Sequence, residues 1–331
     1  MPVLLVSHRC KTEHAAELAQ HAAAAGLEIV ALPADRDARL PEEICARVDV
    51  AFFSGDVFPD FSRQFFSAVR KAPKLQWLHA FNAGVDHPIY TEMLGRGVRL
   101  TTSSGSAAKP IAQTAITGLL MLARNFPRWL AAQQQHRWDP MRGSDAPRDL
   151  QGQTAVIIGL GHIGKEIARL ARALGLNVIG IRRTARVAGD PVDELYAPDR
   201  LADVLPRADW LILACPLSAE TKGLVDRAVL AALPRGARLI NIARGEIVDE
   251  AALLEALRSQ HLAGAYLDVF QQEPLPADSP FWDMPNVFVT PHNSPAAAGN
   301  DERVYQIFFQ NLVRWSRSEP LLNEVKPKTM P

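Results

Sequence analysis

The stretch TAVIIGLGHIGKEIARLARALG, residues 154–175, determines the fold class of this chain. It combines an apolar run, the pattern G-x-G-x-x-G at Gly159, Gly161 and Gly164, and apolar residues at helical spacing. Between a strand and a helix, the first glycine permits the tight turn and the second lets a pyrophosphate approach the backbone. The third lets the helix pack on the strand. Because a helix N-terminus also favours bound phosphate, the stretch predicts a dinucleotide-binding βαβ unit.

The same loop has two competing interpretations. The lysine after the third glycine completes the spacing of a P-loop, but Glu166 stands where that motif has the Ser or Thr hydroxyl that binds Mg²⁺. A turn with a purely structural role is the other possibility. The three-glycine pattern fits a dinucleotide best, and we expect His162 and Ile163 to belong to the cofactor loop as well.

Outward from this unit, short apolar runs alternate with helical patterns almost from end to end. This alternation predicts an α/β protein with parallel sheets covered by helices. One series of such units precedes a small, polar stretch, TSSGS at 102–106, which predicts a hinge, and a second series follows it. The strands predicted in the first series are Val3–Ser7, Leu27–Ala31, Val48–Phe53, Leu75–His79 and Val98–Thr101.

Two helices and one irregular segment are predicted around these strands. One helix runs from Thr12 to Ala25, and another starts near Pro110 and ends about Arg124. Residues 124–150 mix arginine and tryptophan, and we interpret them as an irregular surface arm or an oligomer contact. A nucleic-acid patch is the alternative, and the overall charge gives it no support.

Composition narrows the class of protein. A length of 331 residues predicts about two domains. The 36 basic and 36 acidic residues cancel, whereas proteins that bind nucleic acid or anionic membranes usually carry a basic excess. The three cysteines, Cys10, Cys45 and Cys215, are far apart and odd in number, which predicts a reducing, cytoplasmic setting without disulfides. No signal peptide or membrane span is predicted.

The end of the strand NVIGI, 177–181, bears on the choice of dinucleotide. An NAD site normally has Asp or Glu about 20 residues after the glycine loop. Here Arg182, Arg183 and Thr184 follow the strand, and the first acidic residue is Asp190. Two guanidiniums and a hydroxyl suit a 2′-phosphate, so we predict a preference for NADP(H), with NAD(H) also possible. In the alternative interpretation, both arginines are solvated loop residues and NAD(H) is the cofactor.

Three charged residues follow later strands. They are Arg244 in NIARGEIVDE (241–250), Glu273 in DVFQQEPLP (268–276) and His292 in NVFVTPHNS (286–294). The carboxyl ends of the strands in a doubly wound sheet open onto the ligand crevice. All three side chains are therefore expected near the dinucleotide, although any one of them alone would more often be a surface or capping residue.

With these residues in place, the chain resembles the D-isomer-specific 2-hydroxyacid dehydrogenase family. The resemblance covers nearly the whole chain, from NAGVDH at 82–87 through the glycine loop to the three strand-end motifs. It implies two doubly wound parallel-sheet domains with a cleft between them. A Rossmann cofactor domain, 104–294, would be inserted into a flavodoxin-like substrate domain formed by 1–103 and 295–331, so the last helix would return to the first domain.

The resemblance implies the chemistry as well, namely reduction of a small 2-oxo acid to the D-2-hydroxy acid with NADPH. His292 would be the general acid, supported by Glu273, and Arg244 would bind the substrate carboxylate and polarise the carbonyl. Backbone N–H groups of the segment Ala83, Gly84 and Val85 would also bind the carboxylate. The further cofactor contacts implied are Cys215, Pro216, Thr221, Ala243, Asp268 and Ser294.

Other interpretations stay open. Asp268 could be a structural cap instead of a cofactor contact. Cys215 could be a nucleophile, but the sequence suggests no histidine near it to activate the thiol. The histidines match no metal-ligand spacing, so no metal site is predicted. Lys109 and Gln113 depart from the family pattern and either alter the site or are solvated.

The resemblance, in particular to glyoxylate/hydroxypyruvate reductases with arginine at this strand end, implies glyoxylate, hydroxypyruvate or a similar acid as the substrate. The alternatives are a D-3-phosphoglycerate dehydrogenase-like enzyme and a dinucleotide-sensing, corepressor-like protein without enzymatic activity. The resemblance also implies a homodimer that forms contacts through residues 110–150.

Overall fold

The structure, a computed structural model, describes residues 1–326 and divides the chain into two compact units. The first unit comprises Met1–Ser106 and the C-terminal segment that begins at Ala297, and the second unit is Ala107–Ala296. The sequence predicts these boundaries at 103/104 and 294/295. Residues 327–331, which the prediction includes in the first domain, lie outside the described residues.

The first unit is built on five strands, β1 (Val3–Val6), β2 (Glu28–Ala31), β3 (Val48–Phe53), β4 (Trp77–Ala80) and β5 (Arg99–Thr102). All pair in parallel in the order β2-β1-β3-β4-β5, which is flavodoxin-like. Every residue of β1, β3 and β4 is buried. Burial on both faces explains why these strands are nearly continuous apolar runs rather than alternating patterns.

Five helices of the first unit lie before the second unit in the chain, namely α1 (His8–Glu13), α2 (Ala15–Ala24), α3 (Glu42–Cys45), α4 (Ser62–Arg70) and α5 (Pro88–Gly95). The predicted single helix over 12–25 is wrong. A helix already begins at His8, because the Ser7 hydroxyl accepts the Cys10 N–H at 2.8 Å and caps it. This helix ends at Glu13, and a second helix begins after His14. Helix α5 is not predicted from the sequence either, although Pro88 at its first position, after the capping residue His87, is a helix start signal.

The second unit contains seven strands, β6 (Thr154–Ile158), β7 (Asn177–Ile181), β8 (Glu194–Tyr196), β9 (Trp210–Leu213), β10 (Ala237–Asn241), β11 (Leu262–Leu267) and β12 (Val287–Val289). Their order is β12-β11-β10-β9-β6-β7-β8, and every pairing is parallel. The direction of winding reverses between β6 and β9, which is where a doubly wound sheet binds its ligand. The predicted fold class is therefore confirmed.

Six helices surround this sheet, namely α6 (Ala108–Ala123), α7 (Phe126–Gln134), α8 (His162–Ala173), α9 (Leu201–Val204), α10 (Arg227–Ala232) and α11 (Glu250–Arg258). The prediction that residues 124–150 are irregular is wrong for α7. Asn125 adopts a left-handed conformation at φ 55° and ends the preceding helix, and the proline in the first turn of α7 starts a new one.

The last helix, α12 (Asn300–Ser316), belongs to the first unit. The ring of Phe308 stacks on Phe52 of β3 with centroids 4.1 Å apart, and Phe309 stacks on His21 of α2 at 5.1 Å. The second unit is thus inserted into the first. None of the helices within residues 1–326 is both long enough and apolar enough to cross a bilayer.

Candidate dinucleotide site and active site

The glycine loop joins β6 to α8, and its three glycines serve different purposes. Gly159 has φ +96°, and a β-carbon there would lie 2.6 Å from the Cα of Cys215. A β-carbon on Gly164 would overlap the carbonyl oxygen of Gly159. Gly161, at the N-cap of α8, would meet no atom within 4 Å. The fold itself therefore requires Gly159 and Gly164, whereas Gly161 leaves the open space that a pyrophosphate needs.

The loop after β9 lies beside this turn. Thr221 folds it back on itself, since its Oγ1 donates to the Pro216 carbonyl and accepts the Ser218 N–H, both at 2.7 Å. Cys215 is buried, and burial raises the pKa of its thiol to about 11. The thiol is therefore protonated near neutral pH, which argues against a nucleophilic role.

The end of β7 carries the predicted phosphate-binding residues. Arg183 and Thr184 are exposed. Arg182 is 13% exposed in its side chain, and its guanidinium forms an ion pair with the buried Asp190 at 2.7 Å. The two adjacent arginines therefore have different environments, because Arg182 is held inside the loop and Arg183 is exposed to solvent.

Arg244 follows β10 in a braced turn. Its Nη1 donates to the carbonyl of Ala243 at 2.7 Å, and the Asn241 side chain bonds both the Arg244 carbonyl and the Ala243 N–H at 3.0 Å. A β-carbon on Gly245 would overlap the backbone of Phe270, so the next residue must be glycine for the turn to pack. This bracing role of Asn241 is not predicted from the sequence, although Asn241 lies in the motif NIARGEIVDE.

Glu273 and His292 are hydrogen-bonded to each other in the structure. Nδ1 of His292 lies 2.7 Å from Oε2 of Glu273, and Oε1 accepts the Phe270 N–H at 3.0 Å. His292 has φ +50°, a left-handed conformation that is uncommon outside glycine. Its backbone N–H donates to the Asp268 carbonyl at 2.8 Å, and this bond helps to hold the residue in place.

Asp268 is fully buried under the His292 turn. Its carboxylate accepts the Thr290 hydroxyl at 2.6 Å and the backbone N–H groups of Asn293 and Ser294 at 3.0 and 3.2 Å. Tyr266 extends this network by a 2.7 Å bond to Thr290. These contacts show a structural role for Asp268, and its contact with the nicotinamide stays a prediction, as does that of Ser294.

The predicted carboxylate-binding segment lies in the first unit, after β4. Asn82 shapes it, because its Nδ2 donates to the Gly84 carbonyl at 2.6 Å while its Oδ1 accepts from Tyr90 at 3.0 Å. The role of the Ala83, Gly84 and Val85 N–H groups stays a prediction. Lys109 and Gln113 are exposed on α6. The pKa of Glu166 on α8 is lowered chiefly by its hydrogen bond from Arg169, and Lys109 adds a smaller electrostatic contribution.

The imidazole of His79 is part of the buried core of the first unit. It is buried between the hydroxyls of Thr101 and Ser103, at 2.6 and 3.0 Å, and burial lowers its pKa to about 3. Among residues 1–326, no three His, Cys, Asp or Glu side chains are placed to hold a metal ion.

Comparisons with known proteins agree with this geometry. Residues 116–294 match the family described as D-isomer specific 2-hydroxyacid dehydrogenase, NAD binding domain. A glyoxylate reductase from Korarchaeum cryptofilum is 32% identical over 278 residues, which cover 78% of this chain and 80% of the relative. A D-3-phosphoglycerate dehydrogenase from Methanocaldococcus jannaschii is 30% identical over 80% of this chain, but the chain spans only 50% of that protein.

A solved structure extends the similarity to the whole chain. It is an NADPH-dependent glyoxylate/hydroxypyruvate reductase from Sinorhizobium meliloti in complex with NADP and sulfate. It shares 29% identity and has a TM-score of 0.76, over 99% of this chain and 98% of that one.

The doubly wound sheet, the open glycine loop and these similarities define an oxidoreductase that uses a nicotinamide dinucleotide. Within that class, the chain belongs to the D-isomer-specific 2-hydroxyacid dehydrogenase family. The family resemblance noted from the sequence is thereby confirmed.

Proposed function

We propose that this enzyme reduces a small 2-oxo acid, such as glyoxylate or hydroxypyruvate, to the D-2-hydroxy acid with NADPH. The observation that carries the proposal is the 2.7 Å pair of His292 and Glu273. Glu273 follows strand β11 and His292 follows strand β12, and Arg244 follows the neighbouring strand β10. The same sheet carries the glycine loop at its switch point. A proton donor, a fixed cation and a dinucleotide loop are the parts that carbonyl reduction needs.

In the proposed mechanism, bound NADPH supplies the hydride that adds to the carbonyl carbon. Nδ1 of His292 is engaged by Glu273, so the proton passes from Nε2 to the carbonyl oxygen, and the imidazole is left neutral. The Glu273 carboxylate stabilises the protonated imidazole before transfer. Arg244 binds the substrate carboxylate and stabilises the negative charge that develops on the oxygen.

The proposed cofactor preference rests on the residues after β7. Arg183 and Thr184 are exposed there, and the nearby acid, Asp190, is buried and paired with Arg182. The Sinorhizobium meliloti neighbour is an NADPH-dependent enzyme solved with NADP. We expect kcat/KM to be higher with NADPH than with NADH, and a clear preference for NADH would refute this part of the proposal.

The proposed substrate is supported by the relatives named glyoxylate reductase and by the Sinorhizobium meliloti enzyme. The similarity to D-3-phosphoglycerate dehydrogenase favours a second candidate, oxidation of a phosphorylated 2-hydroxy acid. A panel of 2-oxo acids with NADPH oxidation followed optically, run beside 3-phosphoglycerate with NAD⁺ and NADP⁺, separates the two. Tight dinucleotide binding without turnover of any substrate would instead favour the dinucleotide-sensing protein.

We also propose a homodimer that forms through α7 and the arm after it, in a cytoplasmic setting. Trp138 is 93% exposed, and Phe126, Trp129 and Leu130 are exposed beside it in sequence. Such aromatic side chains are enriched at subunit interfaces. The three buried cysteines are all free, which fits a reducing compartment. Sedimentation velocity on the wild type and on Trp138→Ala tests the dimer.

A further inference from the structure

We propose that Asp190 is a positioning residue for dinucleotide selection, which holds Arg182 as an internal brace so that the loop presents Arg183 and Thr184 to the 2′-phosphate. The inference rests on the proposed NADPH preference and assigns different roles to two adjacent arginines. It also identifies Lys165, after the glycine loop, as the second cation held by the same carboxylate.

Asp190 is saturated with hydrogen bonds inside the protein. Its side chain is 0% exposed. Oδ1 lies 3.1 Å from Nη1 of Arg182 and 3.0 Å from Nζ of Lys165, while Oδ2 lies 2.7 Å from Nη2 of Arg182 and accepts the Val187 N–H at 2.9 Å. A carboxylate has about four acceptor sites, so this one has none to offer a ribose hydroxyl. The acid nearest the end of β7 is thus withdrawn from the role that an NAD site gives it.

Arg182 is committed to the loop in the same way. Besides Asp190, it donates from Nε to the Thr184 carbonyl at 3.1 Å and from Nη2 to the Ala185 carbonyl at 2.5 Å. These bonds use four of the five donors of its guanidinium, which leaves no pair of parallel donors for a phosphate. Arg182 therefore determines the path of the backbone rather than binding the ligand.

The other end of the loop is held by a third arginine. Arg186 donates from Nη2 to the Val192 carbonyl at 2.7 Å and from Nη1 to the Asp193 carbonyl at 3.2 Å. Arg183, the remaining arginine of 182–186, is exposed, and within residues 1–326 its guanidinium forms no such bond to the loop backbone. A guanidinium and the neighbouring Thr184 hydroxyl on a braced loop suit a phosphate dianion.

The pairing of Asp190 with both Arg182 and Lys165 also leaves the loop with a positive charge. One carboxylate is shared by two cations, Arg182 and Lys165, so the cluster keeps a net positive charge beside Arg183. A phosphate gains from this field, whereas the uncharged ribose hydroxyls of NADH gain little. The brace itself acts through position. Asp190→Asn makes the cluster more positive, so a selective loss of NADPH binding in that variant reports the lost positions of Arg183 and Thr184 and not a weaker field.

The experiment compares Asp190→Asn and Arg182→Lys with the wild type. The first removes the shared charge, and the second keeps the charge of residue 182 but loses its fork. Dissociation constants for NADPH and NADH are measured by fluorescence titration, which needs no turnover, and kcat and KM are measured for both dinucleotides. The matched control is Asp193→Asn, because Asp193 likewise accepts a backbone N–H, from Val178 at 2.8 Å, and pairs with Arg172 at 3.2 Å.

We expect both variants to weaken NADPH binding by about tenfold with kcat nearly unchanged, and to alter NADH binding by less than about twofold. The control should keep the wild-type ratio. An unchanged ratio in both variants, an equal loss for both dinucleotides, or the same selective loss in Asp193→Asn would overturn the brace. If Asp190→Asn does not fold, Arg182→Lys alone decides. Failure of the proposed preference is seen separately, as a wild type that binds NADH as tightly as NADPH.

Discussion

The carboxylate of Glu273 bonds the imidazole Nδ1 of His292 at 2.7 Å with one oxygen and the Phe270 N–H at 3.0 Å with the other. The backbone thus orients the carboxylate, and the carboxylate orients the ring. A histidine held at one nitrogen presents the other in a defined direction, which is the requirement for directed proton transfer.

The first prediction concerns this pair. We expect His292→Ala to lower kcat for 2-oxo acid reduction by about 10²- to 10⁴-fold, since it removes the proton donor, and Glu273→Gln to have a smaller effect of the same kind. NADPH binding, measured by fluorescence, should survive in both. Glu250→Gln is the matched control, because Glu250 also accepts a backbone N–H, from Gln271 at 2.7 Å. Wild-type turnover in His292→Ala would remove the acid from the mechanism.

The second prediction concerns Arg244. Arg244→Lys keeps the charge but loses the planar fork that matches a carboxylate, so we expect kcat/KM for the 2-oxo acid to fall by about 10²-fold. The dissociation constant for NADPH should stay near its wild-type value. Arg227→Lys changes an exposed ion pair with Glu255 and serves as the control. Equal losses in the two variants would indicate a general effect of arginine replacement.

The third prediction separates the glycines of the dinucleotide loop. A methyl group at Gly161 meets no protein atom, so Gly161→Ala should leave the melting temperature nearly unchanged but weaken dinucleotide binding, because the methyl occupies the space of the ligand. Gly164→Ala should destabilise the fold itself, since its β-carbon overlaps the Gly159 carbonyl. Thermal unfolding and NADPH titration of both variants test the contrast, and a melting temperature lowered equally in both would contradict it.

The fourth prediction compares two helical glycines. A β-carbon on Gly118 of α6 would lie 2.5 Å from a ring carbon of Tyr266, whereas one on Gly95 of α5 would meet nothing within 4 Å. We expect Gly118→Ala to lower the free energy of unfolding by about 1–3 kcal/mol through overpacking. Gly95→Ala should leave it unchanged or raise it slightly, because alanine has the higher helix propensity. Denaturant unfolding decides, and a stable Gly118→Ala would show that Tyr266 can move.

The fifth prediction concerns pH. The hydrogen bond from Arg182, together with those from Val187 and Lys165, holds the pKa of Asp190 well below its ordinary value of 3.8. A carboxyl with a lowered pKa stabilises the fold fully above its unfolded pKa, and this contribution is lost as the pH falls below that value. The stability difference between the wild type and Asp190→Asn should therefore be largest at neutral pH and shrink below about pH 4. A difference that is constant from pH 7 to pH 3 would contradict this assignment.

Much of the fold could be predicted from the sequence, because the signals are local. Strands such as β3 and β7 are apolar runs whose bounds are predicted correctly, and the glycine loop marks the switch point of its sheet. The helix α7 was missed, because its start depends on the left-handed conformation of Asn125 rather than on an apolar pattern. The division between two units depends on which segments pack together, as Phe308 does on Phe52.

For this protein, the sequence by itself determined the class of enzyme, the glycine loop and the order of Arg244, Glu273 and His292 along the chain. Only the tertiary structure decided how charges pair. Asp190 folds back eight residues to take up Arg182, and Asp268 bonds a turn 22 to 26 residues away. The physical reason is that a carboxylate bonds whichever donors the folded loops bring within about 3 Å, and separation along the chain does not reveal that distance.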